Sequence, residues 1–478
     1  MAYDTYDNPL IARYASREMA SIFSPRVRIE TWRRLWLALA ESQRELGLPI
    51  TRAQIDDLRR HLNDIDWRFA EAREREIRHD VMAHIHAYAK AARKAAAIIH
   101  LGATSYDIVD NADLIIMRSA LRLICRKLAV VVINLGDFAR AYRNLPTLGL
   151  THYQPAQPTT VGKRAALWAQ DFALDLRELE KREAEMAARG IVGATGTQAS
   201  FLELFGGDGR KVERLNRLVC RKMGFDLCLS VASQTYTRKI DTMILASLAG
   251  IGESAHKFAV DVRLLAGRKE IEEPFEKKQV GSSAMAYKRN PMRCERICSL
   301  ARWLMTQPLN SAFTHAAQWL ERTLDDSAGR RLYIPQAFLA ADAILELCAN
   351  VASGLVVYPL VIKKALAAEL PFMATENILM AAVQAGGDRQ ALHERIRVHS
   401  QAAAEQVKMS GKENDLLERL QRDPAFAKIA AKLPSLLDPL RYIGRAPQQV
   451  DAFLKNVVAP IRRRYRGIVR SCGSAVRV

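Results

Sequence analysis

The stretch "IDTMILASLAGIGESAHKFAVDVRLL", residues 240–265, decides the fold class. Its apolar side chains recur at steps of four or three residues, which places them on one face of a helix. This stripe consists of Ile240, Ile244, Leu248, Ile251, Ala255, Phe258, Val262 and Leu265. The helix that carries it would contain about 30 residues and measure about 45 Å. The stretch therefore predicts a helix too long for a small globule.

The same spacing occurs elsewhere in the chain. A second stripe, in a stretch that begins near Thr159, consists of Trp168, Phe172, Leu176 and Leu179. Further long helices are predicted at about residues 112–143, 291–308 and 328–354. Long helices with few internal breaks are typical of a helical bundle. After residues 354–362, prolines and glycines divide the chain into shorter helices.

The predicted fold is all-α with three helical domains. The predicted boundaries are 1–104 for an N-terminal helical domain, 105–357 for a central long-helix bundle and 358–478 for a C-terminal helical domain. A signature loop at 273–290 belongs to the central domain. Helices of this length usually pack against copies from other chains, so the sequence predicts an oligomer built around the bundle.

The composition is that of a globular protein with excess positive charge. Of 478 residues, 49% are hydrophobic and 26% are charged, which excludes disorder and allows a large core. The 71 Lys and Arg exceed the 52 Asp and Glu, giving a net charge of +19. This raises nucleic-acid binding as a hypothesis. Basic residues are interleaved with acids except in "IRRRYRGIVR", residues 461–470, so a solvated basic surface with anion-binding pockets is preferred.

Targeting and cysteine patterns predict a cytoplasmic protein. The N-terminal "MAYDTYDNPLIARYASREM" lacks the apolar core of a signal peptide, and no run of about 18 uncharged apolar residues occurs. The cysteines form an odd set without CxxC spacing, which predicts buried free thiols. They are Cys125, Cys220, Cys228, Cys294, Cys298, Cys348 and Cys472.

Polar clusters interrupt the helical pattern and carry the candidate chemistry. They read "RHDVMAHIH" (78–86), "LGATSYDIVDN" (101–111), "LTHYQPAQPTTVGKR" (150–164), "SQTYTRK" (233–239), "GSSAMAYKRNPM" (281–292) and "ERTLDDSAGRR" (321–331). His79, His84 and His86 do not share a helical face, so no metal site is predicted. His152, in a polar loop, is a candidate general acid or base.

The segment from Glu273 to Asn290 has no helical stripe, and a connection this long is usually a lid or a binding loop. Gly281 allows it to bend. Asn290 is predicted to cap the next helix, with Pro291 at its first position. Free amides at that helix N-terminus, together with Lys288, would attract a carboxylate. From the residues alone, ordinary loop solvation and a catalytic role are about equally compatible with the adjacent Ser282 and Ser283.

"GSSAMAYKRNP" resembles the signature loop of the fumarase/aspartase superfamily, whose members eliminate fumarate from succinyl-bearing substrates. The other clusters resemble the adenylosuccinate lyase family more narrowly, and they occur in that family's order from about residue 8 to beyond 440. The matching segments are "RYASREM", "RHDVMAHIH", "LGATSYDIVDN", "THYQPAQPTTVGKR", "GTQASF", "QTYTRK", "EEPFEKKQVGSSAMAYKRNPMRCER", "ERTLDDSAGRR" and "LPFMATENILM".

The resemblance implies a homotetramer around a central bundle, with each active site assembled from three subunits. It implies cleavage of adenylosuccinate to AMP and fumarate, and of succinyl-aminoimidazole carboxamide ribotide to the carboxamide ribotide and fumarate. These are steps of purine biosynthesis, and the family needs no metal or organic cofactor. The expected partners are small succinylated nucleotides and further copies of the chain, with no membrane and no nucleic acid.

The resemblance also implies residue roles. Ser282 is the general base, whose alkoxide loop amides and Lys288 would stabilise, and His152 is the general acid that protonates the leaving nitrogen. Lys288 and Asn290 would hold the succinyl carboxylates, and Glu295 would orient neighbouring groups. The other implied residues are His79, beside Arg78 and Asp80; Thr104 and Ser105 at the succinyl end; Gln234; and Arg13, Tyr14, Arg296, Arg322, Ser327 and Arg331 as nucleotide and phosphate contacts.

One departure and two alternatives accompany this interpretation. Many superfamily members have proline after the loop methionine, where this chain has Ala286, which frees the backbone but removes no catalytic group. The first alternative is another fumarate-releasing lyase, such as argininosuccinate lyase. The second is a non-catalytic helical protein that binds nucleic acid, against which Ser282, His152 and Lys288 all speak.

Overall fold

The structure is a computed structural model that describes residues 4–467. Residues 1–3 and 468–478 lie outside the described residues, and with them Cys472 and the end of the basic stretch 461–470. Helices form most of the described chain, and four strands form two small two-stranded sheets. The predicted all-α class is confirmed.

The N-terminal region contains five α-helices between a π-helical turn and a 3₁₀ turn. In chain order these are a π-helical turn Leu10–Tyr14, α1 Arg17–Ile22, α2 Pro25–Glu45, α3 Arg52–Arg60, α4 Trp67–Ile77, α5 Asp80–Ala91 and a 3₁₀ turn Arg93–Ile98. Local sequence sets their starts: Ser24 caps α2 before Pro25, and Thr51 and Gln54 form a capping box at α3.

The central region contains the long helices. Its elements are α6 Ser105–Ala141, β1 Pro146–Thr151, β2 Gln154–Thr160, α7 Val161–Ala184, α8 Ala199–Leu204, α9 Gly209–Lys222, α10 Lys239–Gly267, β3 Ile271–Glu272, α11 Met292–Met305, α12 Gln307–Ala316 and α13 Asp326–Gly354. The 37 residues of α6 span about 55 Å. It begins seven residues earlier than predicted, because Thr104 and Asp107 form a capping box there.

The stripe of residues 240–265 packs in the core of this region. Of its eight members, Ile240 is partly buried and the rest are buried, in one cluster with residues of α6, α7, α11 and α13. The second stripe, from Trp168 to Leu179, is fully buried in the same cluster. The two predicted helices are therefore confirmed as neighbours in one bundle core.

The β1–β2 hairpin was not predicted. Its strands are antiparallel, with an irregular register between Leu148 and Leu150. Gly149 lies at this irregularity, where a Cβ would come within 2.3 Å of the Gln157 carbonyl oxygen. Three prolines in or beside the strands and the lack of apolar alternation hid the hairpin, since both features argue against strands.

The C-terminal region consists of shorter elements. They are β4 Val356–Val357, α14 Pro359–Met373, α15 Thr375–Gln384, α16 Arg389–Ser410, α17 Leu416–Arg422, a 3₁₀ helix Pro424–Lys432, α18 Leu433–Leu436, a 3₁₀ turn Pro439–Arg441, α19 Ala446–Phe453, a π turn Leu454–Val458 and α20 Ala459–Arg464. Residues 374–436 form their own apolar cluster, whereas Val450, Leu454 and Val458 pack on the central core. The predicted domain boundaries stay predictions.

Within residues 4–467, α13 alone is long and apolar enough for a membrane span as a single helix, and 72% of that apolar window is buried inside the protein. The pair α14 and α15 meets the same test only when taken together, and it is bent by 48°. Burial in the bundle core accounts for the composition of α13.

Candidate active site

A cleft of about 720 Å³ lies where α4, α5, α6 and α13 meet. It brings together eight residues that the resemblance assigned to the substrate: Arg78, His79, Asp80, Thr104, Ser105, Gln234, Ser327 and Arg331. They come from chain segments more than 200 residues apart, so only the tertiary fold could unite them. The cleft is the candidate substrate site.

Three helices begin at this cleft. His79 is the N-cap of α5 and Thr104 is the N-cap of α6, while Ser327 is the second residue of α13. Each N-terminus carries a partial positive charge from the helix dipole. Arg28, Arg330 and the predicted arginines add full charges to the wall. The cleft is therefore suited to an anionic ligand.

Asp80 organises two of these cations. Its Oδ2 lies 3.4 Å from Nη2 of Arg331 and 3.8 Å from Nη2 of Arg28. The Arg28 guanidinium also stacks 4.9 Å from the ring centroid of Trp32, and its Nε is buried without a hydrogen-bond partner. The carboxylate keeps the two guanidinium groups near each other on the cleft wall.

His79 is held by the backbone on one side and faces the cleft on the other. Its Nδ1 accepts a hydrogen bond from the Met82 amide at 3.4 Å, and its Nε2 lies 3.5 Å from Oγ of Ser105. A neutral ring that accepts at Nδ1 carries its proton at Nε2. His79 thus presents a donor toward Ser105 and the cleft.

Arg322 lies beside the cleft and not on its wall. Its Nη1 makes a bidentate contact with Asp326 at 2.8 and 2.9 Å, and its Nη2 donates to the Tyr106 hydroxyl. The guanidinium also stacks 4.1 Å from the Tyr106 ring centroid, and Tyr106 lines the cleft. Arg322, the predicted phosphate contact, therefore already has partners for both Nη1 and Nη2.

Three aspartates on one face of α6 support the floor of the cleft. Asp107 pairs with Arg189 at 2.6 Å, Asp110 with Arg238 at 3.1 Å, and Asp113 with Arg330 at 3.1 Å. They lie at i, i+3 and i+6, which is one helical face. The arginines come from three other segments of the chain, so the aspartates fasten those segments to α6.

The ion pairs continue below the cleft. Arg238 also contacts Asp326 at 2.7 Å, and Arg330 contacts Asp241 at 2.8 Å and donates to the Tyr236 hydroxyl. Burial alone would lower the pKa of Arg238, but the neighbouring Asp110, Tyr236 and Asp241 together raise it above its usual value. Burial also raises the pKa of Tyr236, which stays a neutral phenol. The network is a rigid charged layer.

The signature loop contains Ser282 but does not reach the cleft in this structure. The Oγ of Ser282 accepts hydrogen bonds from the amides of Ala284 at 3.3 Å and Met285 at 3.1 Å. Lys288 is exposed. None of the described residues of the loop is among the residues that line the cleft. The predicted base thus has two amide donors but no substrate pocket beside it.

The predicted helix cap after the loop is wrong. α11 begins at Met292, and Asn290 donates instead from Nδ2 to the Gly281 carbonyl at 2.8 Å. The carboxylate of Glu273 accepts from the amides of Arg293 at 3.0 Å and Cys294 at 2.9 Å. These amides are therefore not free for a substrate carboxylate, and the role of Asn290 as a carboxylate contact stays a prediction.

His152 lies at the exposed tip of the β1–β2 hairpin. Thr151 pairs with Gln154 across the turn, and both residues between them have left-handed backbones, with φ of 53° for His152 and 59° for Tyr153. Such a conformation is costly for residues other than glycine, and it occurs often at functional sites. His152 does not line the cleft of its own chain.

Arg13, Tyr14 and Arg296 form a third group. The Arg296 guanidinium lies 5.6 Å from the ring centroid of Tyr14, and Arg13 is exposed beside it in the chain. Ser16 lies two residues after Tyr14, and its amide and hydroxyl donate hydrogen bonds to Asp342 at 2.6 and 3.2 Å. Glu295, next to Arg296, is exposed.

The predicted residues therefore fall into three groups on one chain. The first lines the cleft, and the third is His152 at the hairpin tip. The second consists of Arg13, Tyr14 and Arg296 together with the signature loop, which precedes Arg296 in the chain. Sequence reasoning missed the buried partners Asp110, Arg238 and Arg330. The acids at every third position of "SYDIVDNAD" would have revealed part of this network, since charged residues rarely face a helical core unpaired.

The predictions on metals and thiols bear on the chemistry. No group of three or more His, Cys, Asp or Glu side chains suited to a metal ion occurs among residues 4–467. The six described cysteines are free, and Cys228 is the one that is not buried. Burial lowers the pKa of His84 to about 4, so this histidine of the "HDVMAHIH" cluster is neutral at physiological pH.

Two family models match the chain. One, described as "Lyase", matches residues 35–305, and the other, described as "Adenylosuccinate lyase C-terminus", matches residues 371–453. The first covers the hairpin, the signature loop and the cleft residues from Glu74 to Gln234. The second covers most of the C-terminal region.

Curated relatives match along nearly the whole chain. Adenylosuccinate lyase of Saccharomyces cerevisiae is 54% identical over 459 residues, covering 95% of both chains. The enzyme of Schistosoma mansoni is 48% identical over 466 residues, covering 97% of both. That of Pyrococcus abyssi is 29% identical over 461 residues, covering 96% of this chain and 99% of the relative.

Solved structures support the fold. A fumarate lyase from Mesorhizobium sp. BNC1 has a TM-score of 0.79 at 24% identity, covering 95% of this chain and 100% of that one. A 3-carboxy-cis,cis-muconate lactonizing enzyme from Pseudomonas putida has a TM-score of 0.80 at 21% identity, covering 95% and 99%. At these identities the likeness extends to the helical architecture alone.

Proposed function

Because the chain belongs to the adenylosuccinate lyase family, we propose that its cleft binds adenylosuccinate and that several copies of the chain together complete each active site. The chain is a carbon–nitrogen lyase of purine nucleotide biosynthesis. It eliminates fumarate from adenylosuccinate to give AMP, and from succinyl-aminoimidazole carboxamide ribotide to give the carboxamide ribotide. The observation that carries this function is the cationic cleft with its eight assigned residues.

Ser282 is the base in this proposal. The proton to be removed lies next to a carboxylate and is weakly acidic, so the base must be a strong one. The amides of Ala284 and Met285 already donate to the Ser282 Oγ, and such bonds strengthen when the acceptor becomes an alkoxide. Lys288 lies on the same loop and adds a positive charge when the loop closes.

His152 is the acid, and its exposed position at a tight turn suits a residue that enters the cleft of another chain. Lys288 and Asn290 contact the succinyl carboxylates once the loop moves, while Glu295 orients its neighbours. In the cleft, Thr104, Ser105 and Gln234 face the succinyl end, with His79 next to the acid. Arg78 and Asp80 bind the substrate, and the contacts to the nucleotide and its phosphate are Arg13, Tyr14, Arg296, Arg322, Ser327 and Arg331.

The incomplete site supports the homotetramer of this proposal. The cleft, the signature loop and the hairpin tip do not meet within one chain, and in this proposal further copies supply the missing groups. An apolar surface supports association: Leu309, Phe313, Trp319 and Leu320 at the α12 end of the bundle are 60 to 96% exposed. Exposed apolar groups of this size are typical of protein interfaces.

The partners in this proposal are succinylated nucleotides and further copies of the chain, and the location is the cytoplasm. The nucleic-acid alternative has less support, because two arginines of the basic stretch are paired with acids within the chain. Arg462 pairs with Asp137 at 2.5 Å, and Arg464 pairs with Glu180. The argininosuccinate alternative is disfavoured by the match to the C-terminal model of adenylosuccinate lyases.

Turnover of adenylosuccinate tests the function. We expect purified protein to change the ultraviolet absorbance of adenylosuccinate as AMP forms, and Ser282→Ala and His152→Ala each to abolish the change while the oligomer persists. Full activity in either variant would exclude the role assigned to that residue. No turnover by the parent protein, with tight RNA binding instead, would overturn the function.

Mixing the two inactive variants tests the shared site. If Ser282 and His152 of one site come from different chains, an equimolar random tetramer has both groups intact in about a quarter of its sites, since each is supplied intact with a probability of about one half. We therefore expect about a quarter of parental activity after the mixed subunits are dissociated and reassembled. No recovery, with mixed oligomers present, would place both groups on one chain.

A further inference from the structure

The two ends of the signature loop are bound to each other by a pair of buried residues. Glu273 follows the short strand β3, and Arg293 is the second residue of α11. Glu273 is 5% exposed and Arg293 is 3% exposed. The 19 positions between them include Ser282 and Lys288. We call this pair the Glu273–Arg293 clasp.

The carboxylate of the clasp replaces the missing helix cap. Pro291, at the N-cap of α11, offers no side-chain acceptor. The two oxygens of Glu273 instead accept from the amides of Arg293 at 3.0 Å and Cys294 at 2.9 Å. A carboxylate at this position satisfies two orphan amides and interacts favourably with the helix dipole. The start of the loop therefore fixes the helix that follows it.

The guanidinium of Arg293 in turn binds the start of the loop. Nη1 of Arg293 donates to the Pro274 carbonyl at 2.7 Å, and Nη2 donates to the Glu276 carboxylate at 2.6 Å. Four hydrogen bonds thus join residues 273–276 to residues 293–294. Because charged groups take part in all of them, they are among the stronger bonds available to a protein.

A second, weaker closure lies inside the first. Asn290 donates to the Gly281 carbonyl at 2.8 Å, and a Cβ on Gly281 would lie 2.0 Å from the Lys288 carbonyl oxygen. Residues 283–289 inside this closure are exposed, whereas the clasp is buried. The loop therefore has a fixed base and an exposed end, and Ser282 lies half-buried where the exposed end begins.

We propose that Glu273 and Arg293 are positioning residues for catalysis, because they hold the base of the loop while its exposed end moves onto the cleft. A fixed base limits the places that Ser282 can reach, which raises the fraction of closed loops with the base correctly placed. This inference rests on the proposed function, since it takes Ser282 as the base. The clasp itself touches no substrate.

Glu273→Gln tests the clasp. The amide of glutamine has one acceptor and one donor atom, so it satisfies only one of the two backbone amides and loses the charge. We expect kcat to fall by about tenfold to a hundredfold. The Kd for AMP, which binds in the cleft, should stay within about twofold of the parent value. Trypsin should cleave the loop, at Lys277, Lys278, Lys288 or Arg289, at least about fivefold faster.

Arg293→Lys should give the same pattern, because lysine cannot reach both acceptors with a planar fork. Glu394→Gln, which changes an exposed glutamate paired with Arg397, is the matched control and should retain parental kcat and loop cleavage.

The possible outcomes distinguish a failure of the clasp proposal from a failure of the proposed function. Parental kcat in Glu273→Gln, with Ser282→Ala inactive, would overturn the clasp and leave the base in place. Equal losses of kcat, AMP affinity and thermal stability would also overturn it, because they would indicate a general structural defect. An active Ser282→Ala would overturn the proposed base, whatever Glu273→Gln does.

Discussion

Replacement of Asp107 tests whether the aspartates of α6 hold the cleft together. Its Oδ1 accepts from Nη1 of Arg189 at 2.6 Å and from the amides of Val192 at 2.9 Å and Gly193 at 3.0 Å. Its Oδ2 accepts from the amide of Thr104, the N-cap of α6, at 2.8 Å. Asp107→Ala removes all four acceptor contacts at a site without solvent access.

The magnitude follows from burial. Arg189 is 0% exposed and would keep its charge without its carboxylate partner, which typically costs about 3–5 kcal/mol. We therefore expect the free energy of unfolding to fall by about 4 kcal/mol. At about 2 °C for each kcal/mol in a large cooperative unit, the thermal midpoint should fall by about 8 °C. The KM for adenylosuccinate should rise, because Thr104 lines the cleft.

Thermal unfolding at one fixed chain concentration measures the effect. Asp137→Ala is the matched control, since it removes an aspartate of the same helix paired with Arg462, but the Asp137 side chain is 51% exposed. The control should lose less than about 1 kcal/mol. A shift below about 2 °C for Asp107→Ala would refute the reasoning. Replacing both partners, with Asp107→Leu and Arg189→Met, should recover only the part of the loss due to the unpaired charge, because the amides of Val192, Gly193 and Thr104 still lack an acceptor.

Two further predictions concern pH and substrate affinity. Burial lowers the pKa of His84 to about 4, so the unfolded chain takes up its proton first as the pH falls, and the contribution of His84 to stability should fall by about 2 kcal/mol between about pH 6.5 and pH 5. Burial lowers the pKa of His100 to about 4 as well, so His84→Gln should remove about half of the combined decline, measured by urea unfolding. Asp342→Asn weakens the hydrogen bonds that hold Ser16, and with it the nearby Tyr14. The KM for adenylosuccinate should therefore rise by about threefold to tenfold at nearly constant kcat. Turnover of succinyladenosine, which lacks the phosphate, should not change. A fall in kcat for both substrates would contradict the second prediction.

The long helices could be predicted because each shows its periodicity locally. The stripe from Ile240 to Leu265 needs no knowledge of its partners. The hairpin could not be predicted, because Pro155 and Pro158 normally argue against a strand, and pairing with β1 is a tertiary fact. The cap of α11 was misassigned for the same reason: Asn290 and Pro291 are a typical start signal, but Glu273, distant in sequence, takes the amides.

The sequence proposed individual residues for the candidate site, but it did not predict where they lie relative to one another. Arg78, Thr104 and Ser327, which the motifs assigned to substrate binding, all line the cleft, and their roles stay predictions. Periodicity and spacing have no means to show that Asp110 would meet Arg238, 128 positions later. Nor could they show that Ser282 and His152 would lie outside the cleft of their own chain.

In the proposed site shared between chains, the position of His152 at the tip of a hairpin, away from the cleft of its own chain, would make activity depend on concentration. A newly made chain could then fold its bundle and still have no complete site until it meets other copies. Specific activity should therefore fall on dilution below the assembly midpoint, while helical content stays constant. Ligands that bind the completed site would shift this midpoint by mass action. Substrate supply and subunit assembly are in this way thermodynamically linked.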